Sequence, residues 1–297
     1  MPVSRSDVGL AEEEDRAYGA TVAKRRLSRR LAAMRVRAGF SANEVGDKLN
    51  WSRGRLQRME GNQWRLPEPS YIRDLARIYG ASDAEEAELL DLTMHARARQ
   101  WWRAYEDVFG KDDEFSGFEN DAARIGTYMP LVLPGLLQTR PYTEAHMRAG
   151  SKPPGWCARA LEARLRRQQI LDRPRAAPWL TAVITEASLA YRWGTPAERG
   201  DQLSHLIAMS RRPNVELRLL RFEDGPHPGM SSLINIFDFP DDQDPSIVYL
   251  EIDTALQEVT SADEVRAYKE VFSRICAAAL GQSASRSHLE KLADAGG

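Results

Sequence analysis

Cysteine is scarce in this chain. Two in 297 residues, Cys157 and Cys276, exclude a disulfide framework and a multi-cysteine zinc site. The five histidines (95, 146, 205, 227 and 288) are scattered and never fall at the spacing of a ligand pair, so no metal is expected. Long apolar runs are missing as well. No stretch approaches the ~18–20 residues that cross a bilayer. The opening MPVSRSDVGLAEEEDRAYG has no apolar signal-peptide segment. A cytoplasmic chain without membrane association is the expectation. A nucleophile elbow, a P-loop and a dinucleotide-binding glycine pattern are all absent, so neither catalysis nor a cofactor is expected.

At 42% hydrophobic and 28% charged residues, the composition is that of an ordinary globular protein, and the length suffices for two domains. The net charge of −2 conceals a strong asymmetry. Residues 21–80 hold 14 Lys/Arg against 5 Asp/Glu, and residues 81–297 hold 25 against 33. A basic module attached to an acidic body is the electrostatic footprint of a nucleic-acid reader with a separate second domain.

Residues 41–61, SANEVGDKLNWSRGRLQRMEG, carry the most information. They read as two short helices around a tight turn. Ser41 caps the first, with Glu44 three residues on as in a capping box. Val45 and Leu49 share a face, and Asn50 tolerates the left-handed conformation that such a turn needs. Ser52 is read as the cap of the second helix, with Leu56 and Met59 inward and Arg53, Arg55, Gln57 and Arg58 outward. An apolar back with an Arg/Gln front suits major-groove reading: Arg pairs with guanine edges and Gln with adenine edges. Gly54, taken as part of this helix, weakens it by up to about 1 kcal/mol relative to alanine. Trp51 reads as a packing residue at the junction.

Over roughly residues 24–80 the chain resembles the lambda-repressor/Cro-like (xenobiotic-response-element) helix-turn-helix family. The resemblance rests on Arg35, the Ser52–Glu60 block, Gly61 and the segment RDLARIYG. It implies a five-helix DNA-binding domain and a buried ion pair between Arg35 and Glu60. It also implies base contacts from the Arg53–Arg58 segment. Ser41, Asn43, Ser52 and Arg65 are candidates for phosphate contact, as are Arg25, Arg29 and Arg30 of the first helix.

The remaining elements follow from periodicity and turn residues. A helix over 24–38 carries Leu27, Leu31 and Met34 as a stripe and ends at Gly39. Another over 69–79 carries Ile72, Leu75 and Ile78. Ser82 caps a long helix from 83 to about 109, in which one of Trp101 and Trp102 is expected to pack on the second domain and the other on a subunit partner. Residues 114–128 read as a short helix, and MPLVLPGLLQT (129–139) as an extended apolar loop. Strands are expected at 180–185, 215–222, 232–239 and 246–252. Helices are expected at 140–149, 156–172, 185–191, 196–210 and 261–280. The fold class is therefore α+β: an all-α N-terminal domain, then an α+β domain with a small, mostly antiparallel sheet. The divisions are an arm over 1–20, the helix-turn-helix domain over 21–82, a connecting helix over 83–112, the second domain over 113–282, and a tail over 283–297.

PGLLQT (134–139), Arg166–Gln169, TEASLAYR (185–192) and VYLE (248–251) resemble a domain of unassigned chemistry in WhiJ-like regulators of high-GC bacteria. Its genes often neighbour one for a short partner protein. The resemblance implies a transcriptional regulator, read as a homodimer on a near-palindromic double-stranded operator. Its second domain would sense a small molecule or a small partner protein. The alternative is an antitoxin-like interaction protein that binds such a partner and uses DNA binding for autoregulation. Leu133, Leu136, Glu186 and Glu251 are the candidate lining of a ligand or partner pocket. The two carboxylates can equally be acid/base partners or plain polar residues on a sheet face. DGPHPGM (224–230) reads as a rigid surface turn or a pocket wall.

Overall fold

The computed structural model describes residues 19–111, 113–150, 152–230, 233–252 and 255–295. The expected N-terminal arm lies, over residues 1–18, outside them. Contacts divide the chain into two units, 1–121 and 122–297. The first is all helix and the second is α+β.

In the first unit, α1 (Ala20–Arg37), α2 (Ala42–Lys48), α3 (Arg55–Glu60), α4 (Pro69–Tyr79) and α5 (Asp83–Ala96) surround one core. Leu27, Leu31 and Met34 recur at helical spacing on α1 and are buried against Val45, Leu56, Ile72, Leu75, Leu89 and Leu92. Each fully buried leucine contributes about 1.5–3 kcal/mol. Helix α1 ends in a Schellman motif. Gly39 is left-handed at φ 76°, its N–H donates to Val36 O, and Phe40 N–H donates to Arg35 O. Its start is capped from a distance, since the Asp121 carboxylate accepts from the N–H groups of Thr21 (3.1 Å) and Val22 (3.0 Å). A negative group at a helix N-terminus also satisfies the macrodipole. Ser82 caps α5 in a capping box with Glu85.

The continuous helix expected over 83–109 does not form. Helix α5 stops at Ala96, and a 3-10 turn (Trp101–Tyr105), α6 (Glu106–Phe109) and α7 (Phe115–Asp121) follow. Arg97 donates to Pro67 O and Glu68, and the buried Gln100 amide donates to Thr21 Oγ1. These contacts turn the chain back so that Trp102 and Tyr105 become 3% and 4% exposed. A straight helix would carry both off the end of the core. The tryptophans pack within this unit, edge to face at 5.8 Å, and Trp101 Nε1 donates to Asn120.

The second unit is built on a six-stranded sheet of order β3-β2-β1-β4-β5-β6. The strands are β1 (Arg124–Met129), β2 (Trp179–Thr185), β3 (Val215–Leu220), β4 (Ile234–Asp238), β5 (Ile247–Ile252) and β6 (Ala255–Val259). The β1–β2 and β2–β3 ladders are parallel, and the β1–β4, β4–β5 and β5–β6 ladders are antiparallel. Parallel neighbours need long crossovers. Here α8 (Arg140–Ala149) and α9 (Pro154–Gln168) join β1 to β2, and α10 (Glu186–Ala190) and α11 (Pro196–Met209) join β2 to β3. Helix α12 (Ala262–Ala278) packs on β4 and β5. Its Phe272 lies so close to Gly126 that a Cβ there would be 2.9 Å from the ring. Helix α13 (Gln282–Ala295) closes the chain along α11 and β3. The sheet expected from sequence thus acquires two more strands, β1 and β6, and residues 124–128 are strand rather than helix.

Candidate nucleic-acid interface

Helices α2 and α3 hold the candidate reading head. Ser41 accepts from Glu44 N–H at 3.2 Å, and the Glu44 carboxylate accepts from Ser41 N–H at 2.8 Å. Those contacts hold the Glu44 carboxyl below its ordinary range, the backbone hydrogen bond most of all. Asn50 is left-handed at φ 51°, and Trp51 N–H closes the turn on Gly46 O at 2.8 Å.

The second helix starts later than the sequence suggests. Ser52 does not cap it: the helix begins at Arg55, and its N-cap is Gly54 in the left-handed conformation at φ 76°. Gly54 is therefore not a weak point inside a helix but the residue that lets the backbone enter one. Leu56 and Met59 are buried, while Arg53, Gln57 and Arg58 are exposed.

Arg55 departs from the expected outward set. It is half-buried, and its guanidinium lies 4.2 Å from the Tyr71 ring centroid and 4.8 Å from that of Trp51. Those rings meet edge to face at 5.3 Å. Such a stack steadies the start of the helix. Tyr71 of α4 was missing from the sequence reading. The only local signal for this shelf is the four-residue step from Trp51 to Arg55.

The far end of α3 is tied to α1. Arg35 Nε and Nη2 donate to the two oxygens of Glu60 at 2.7 and 2.8 Å, and Nη1 donates to Phe40 O at 2.8 Å. This fork-to-fork geometry is the strong form of a charge pair. The hydrogen bond to Glu60 raises the guanidinium's proton affinity. Tyr79 close by is pushed well above the ordinary tyrosine range, first by burial and then by the Glu60 charge.

The candidate phosphate contacts separate into two groups. Ser41, Asn43 and Ser52 are exposed. Arg65 is engaged within the unit by Glu106 at 2.6 Å. On α1, Arg30 pairs with Glu88 at 2.5 Å, and Arg25 lies 5.7 Å from the Phe118 ring centroid. Arg65 remains largely exposed and Arg30 partly exposed despite these ion pairs.

The pocket candidates divide as well. Leu133 and Glu186 line one cavity of about 730 Å³ in the second unit. Leu136 is buried in a 3-10 turn and is not part of that lining, and Glu251 is exposed on β5. The two carboxylates are therefore not brought together as an acid/base pair. His227 sits against Tyr128, with Nε2 2.8 Å from the tyrosine oxygen. Among the described residues, no three His, Cys, Asp or Glu side chains group as a metal site would require, and no helix is long and apolar enough to cross a membrane.

Comparison with known families also finds two regions, the second beginning at residue 113, within the first unit. Residues 26–89 match a helix-turn-helix domain, and residues 113–291 match a domain of unknown function (DUF5753). No curated protein and no solved structure matches the chain.

Proposed function

The chain belongs to the DUF5753 family, and because a helix-turn-helix domain precedes that region, we propose that it is a sequence-specific DNA-binding transcriptional regulator. The observation that carries this reading is the exposed set Arg53, Gln57 and Arg58 on a helix whose back is buried and whose two ends are fixed. Bases are read by side chains at the start of such a helix. Phosphate contacts set the register and supply most of the salt-dependent affinity. Arg53 precedes the helix and is the first candidate for a guanine edge.

A single module of this size covers a half-site. The expected form is a homodimer on a near-palindrome, with half-sites about one helical turn apart. The second unit provides dimerisation and sensing, without catalysis of its own, in a cytoplasmic regulator of the xenobiotic-response-element and WhiJ-like type. Selection of sites from random duplexes by the purified full-length protein tests the reading. A spaced inverted repeat, bound by a dimer in sedimentation, is the expected result. Failure of a folded protein to enrich any sequence would overturn it.

A further inference from the structure

The cavity in the second unit has a chemistry that narrows what it can hold. Its volume of about 730 Å³ lies inside the ~300–1,000 Å³ span of small-molecule sites. Leu133, Leu189, Trp193, Leu203, Phe222 and Leu292 give it apolar walls. Phe222 is 70% exposed and Tyr191, beside the lining residue Ala190, is 57% exposed. Large apolar groups left in water beside a concavity mark an interaction site. Tyr142 and Trp193 meet edge to face at 4.8 Å in the lining, an arrangement that a further aromatic ring extends.

The polar groups of the lining are already engaged inside the protein. Gln202 accepts from Thr139 N–H at 2.7 Å and donates to Leu137 O at 2.8 Å. The Tyr142 oxygen accepts from Leu133 N–H at 3.1 Å. Glu186 accepts from Phe222 N–H at 2.6 Å and lies 3.0 Å from His288 Nε2. Arg199 Nη1 donates to the carbonyls of Trp193 and Gly194. An apolar ligand leaves every one of these contacts in place, so it orphans no buried polar group. An uncharged apolar ligand displaces only water.

We propose that this cavity is the effector site of the protein and takes an uncharged small molecule built around an aromatic ring. The binding stands on the cavity alone, while its regulatory consequence rests on the regulator reading above.

Gly200 supplies the test. It lines the cavity from within α11, and a Cβ built there meets no atom within 4 Å. A larger side chain therefore extends into open space without straining the helix. Full-length protein is titrated with N-phenylnaphthylamine, an uncharged aromatic dye whose emission rises in apolar surroundings. The expected result is saturable binding at one site per chain, kept by Gly200→Ala. Gly200→Phe, with undiminished thermal stability, should weaken it by at least about tenfold.

Absent or non-saturable binding overturns the proposal, and so does equal binding by wild type and Gly200→Phe. A co-purifying polypeptide that excludes the dye would identify a protein occupant and overturn it too. In the second arm, the dye should change the affinity for a selected DNA site in wild type but not in Gly200→Phe. Dye binding without that change removes the effector role. Intact dye binding with no selectable DNA site refutes the regulator reading and leaves the cavity assignment standing.

Discussion

Breaking the Arg35–Glu60 pair should damage the reading head more than removing any exposed arginine. The side chains are only 18% and 10% exposed, so each charge is only partly rehydrated when its partner is removed. Loss of one member of a fully buried pair costs about 3–5 kcal/mol. The partial exposure here brings the expectation for Glu60→Ala to about 2–3 kcal/mol. Arg35→Ala should cost about 1 kcal/mol more, because it also orphans the Phe40 carbonyl that Nη1 holds at 2.8 Å. The double variant removes both charges together and should cost well under the sum, with a coupling of about 2 kcal/mol. Urea unfolding of the four proteins, followed by circular dichroism, measures that cycle. Additive costs would refute the argument, since they would mean that each side chain acts through packing alone.

Gly54→Ala is expected to destabilise the first unit by about 1–2 kcal/mol, because its φ of 76° is unfavourable for any residue with a Cβ; a gain in midpoint on urea unfolding would contradict the left-handed entry. Arg53→Ala should leave stability unchanged and weaken specific DNA binding by about 1–3 kcal/mol. Arg55→Ala should instead lower stability by about 1–2 kcal/mol through loss of its aromatic shelf; parallel melts and binding titrations separate the two. Glu85 is held down to about 2, from an ordinary 4.5, by the Arg37 guanidinium and then by the Ser82 N–H. Its contribution is complete above 4.5 and fades as pH falls toward 2, so Glu85→Gln should flatten that stretch of a Tm-versus-pH curve. Burial pushes the Cys276 thiol up to about 11, so at pH 8 it should resist iodoacetamide in the native protein and react once unfolded, as peptide mass mapping would reveal.

What was legible in the sequence was local. The Ser41 and Ser82 capping boxes, the left-handed Asn50, the Gly39 terminus and the Leu27–Leu31–Met34 stripe each depend on residues a few positions apart. Strands β2 to β5 were legible for the same reason, since each is an apolar run between turn residues. Strand β1 was not. RIGTYM follows α7 with only Ala122 and Ala123 between them, and its Gly126 is explained only by Phe272, far along the chain. Strand β6, ALQEV, is exposed at most of its described positions, so its pairing with β5 rather than hydrophobicity makes it a strand. The break after Ala96 has neither glycine nor proline to announce it. It follows from burying Trp102 and Tyr105, a tertiary demand that overrides helix propensity. The cavity was half legible, because Leu133 and Glu186 sit on separate elements that only the crossovers bring together.

The shortness of α3 links these observations to function. Six residues are far below the ~12–15 that form a marginally stable isolated helix, so its position must come from outside itself. Gly54 sets its entry, Leu56 and Met59 bury its back, Arg55 stacks on Trp51 and Tyr71, and Glu60 ties its end to Arg35. On the proposed reading, the polar residues of the segment divide between two tasks: Arg55 holds the helix, and Arg53, Gln57 and Arg58 face DNA. The division carries a consequence for specificity. Substituting a reading residue should change which base is preferred at one position. Substituting a holding residue should weaken all sites together, because the whole helix loses its register. Repeating the site selection with Arg53→Gln and with Arg55→Gln distinguishes the two tasks, and a changed consensus from Arg55→Gln would show that the shelf is abandoned on DNA.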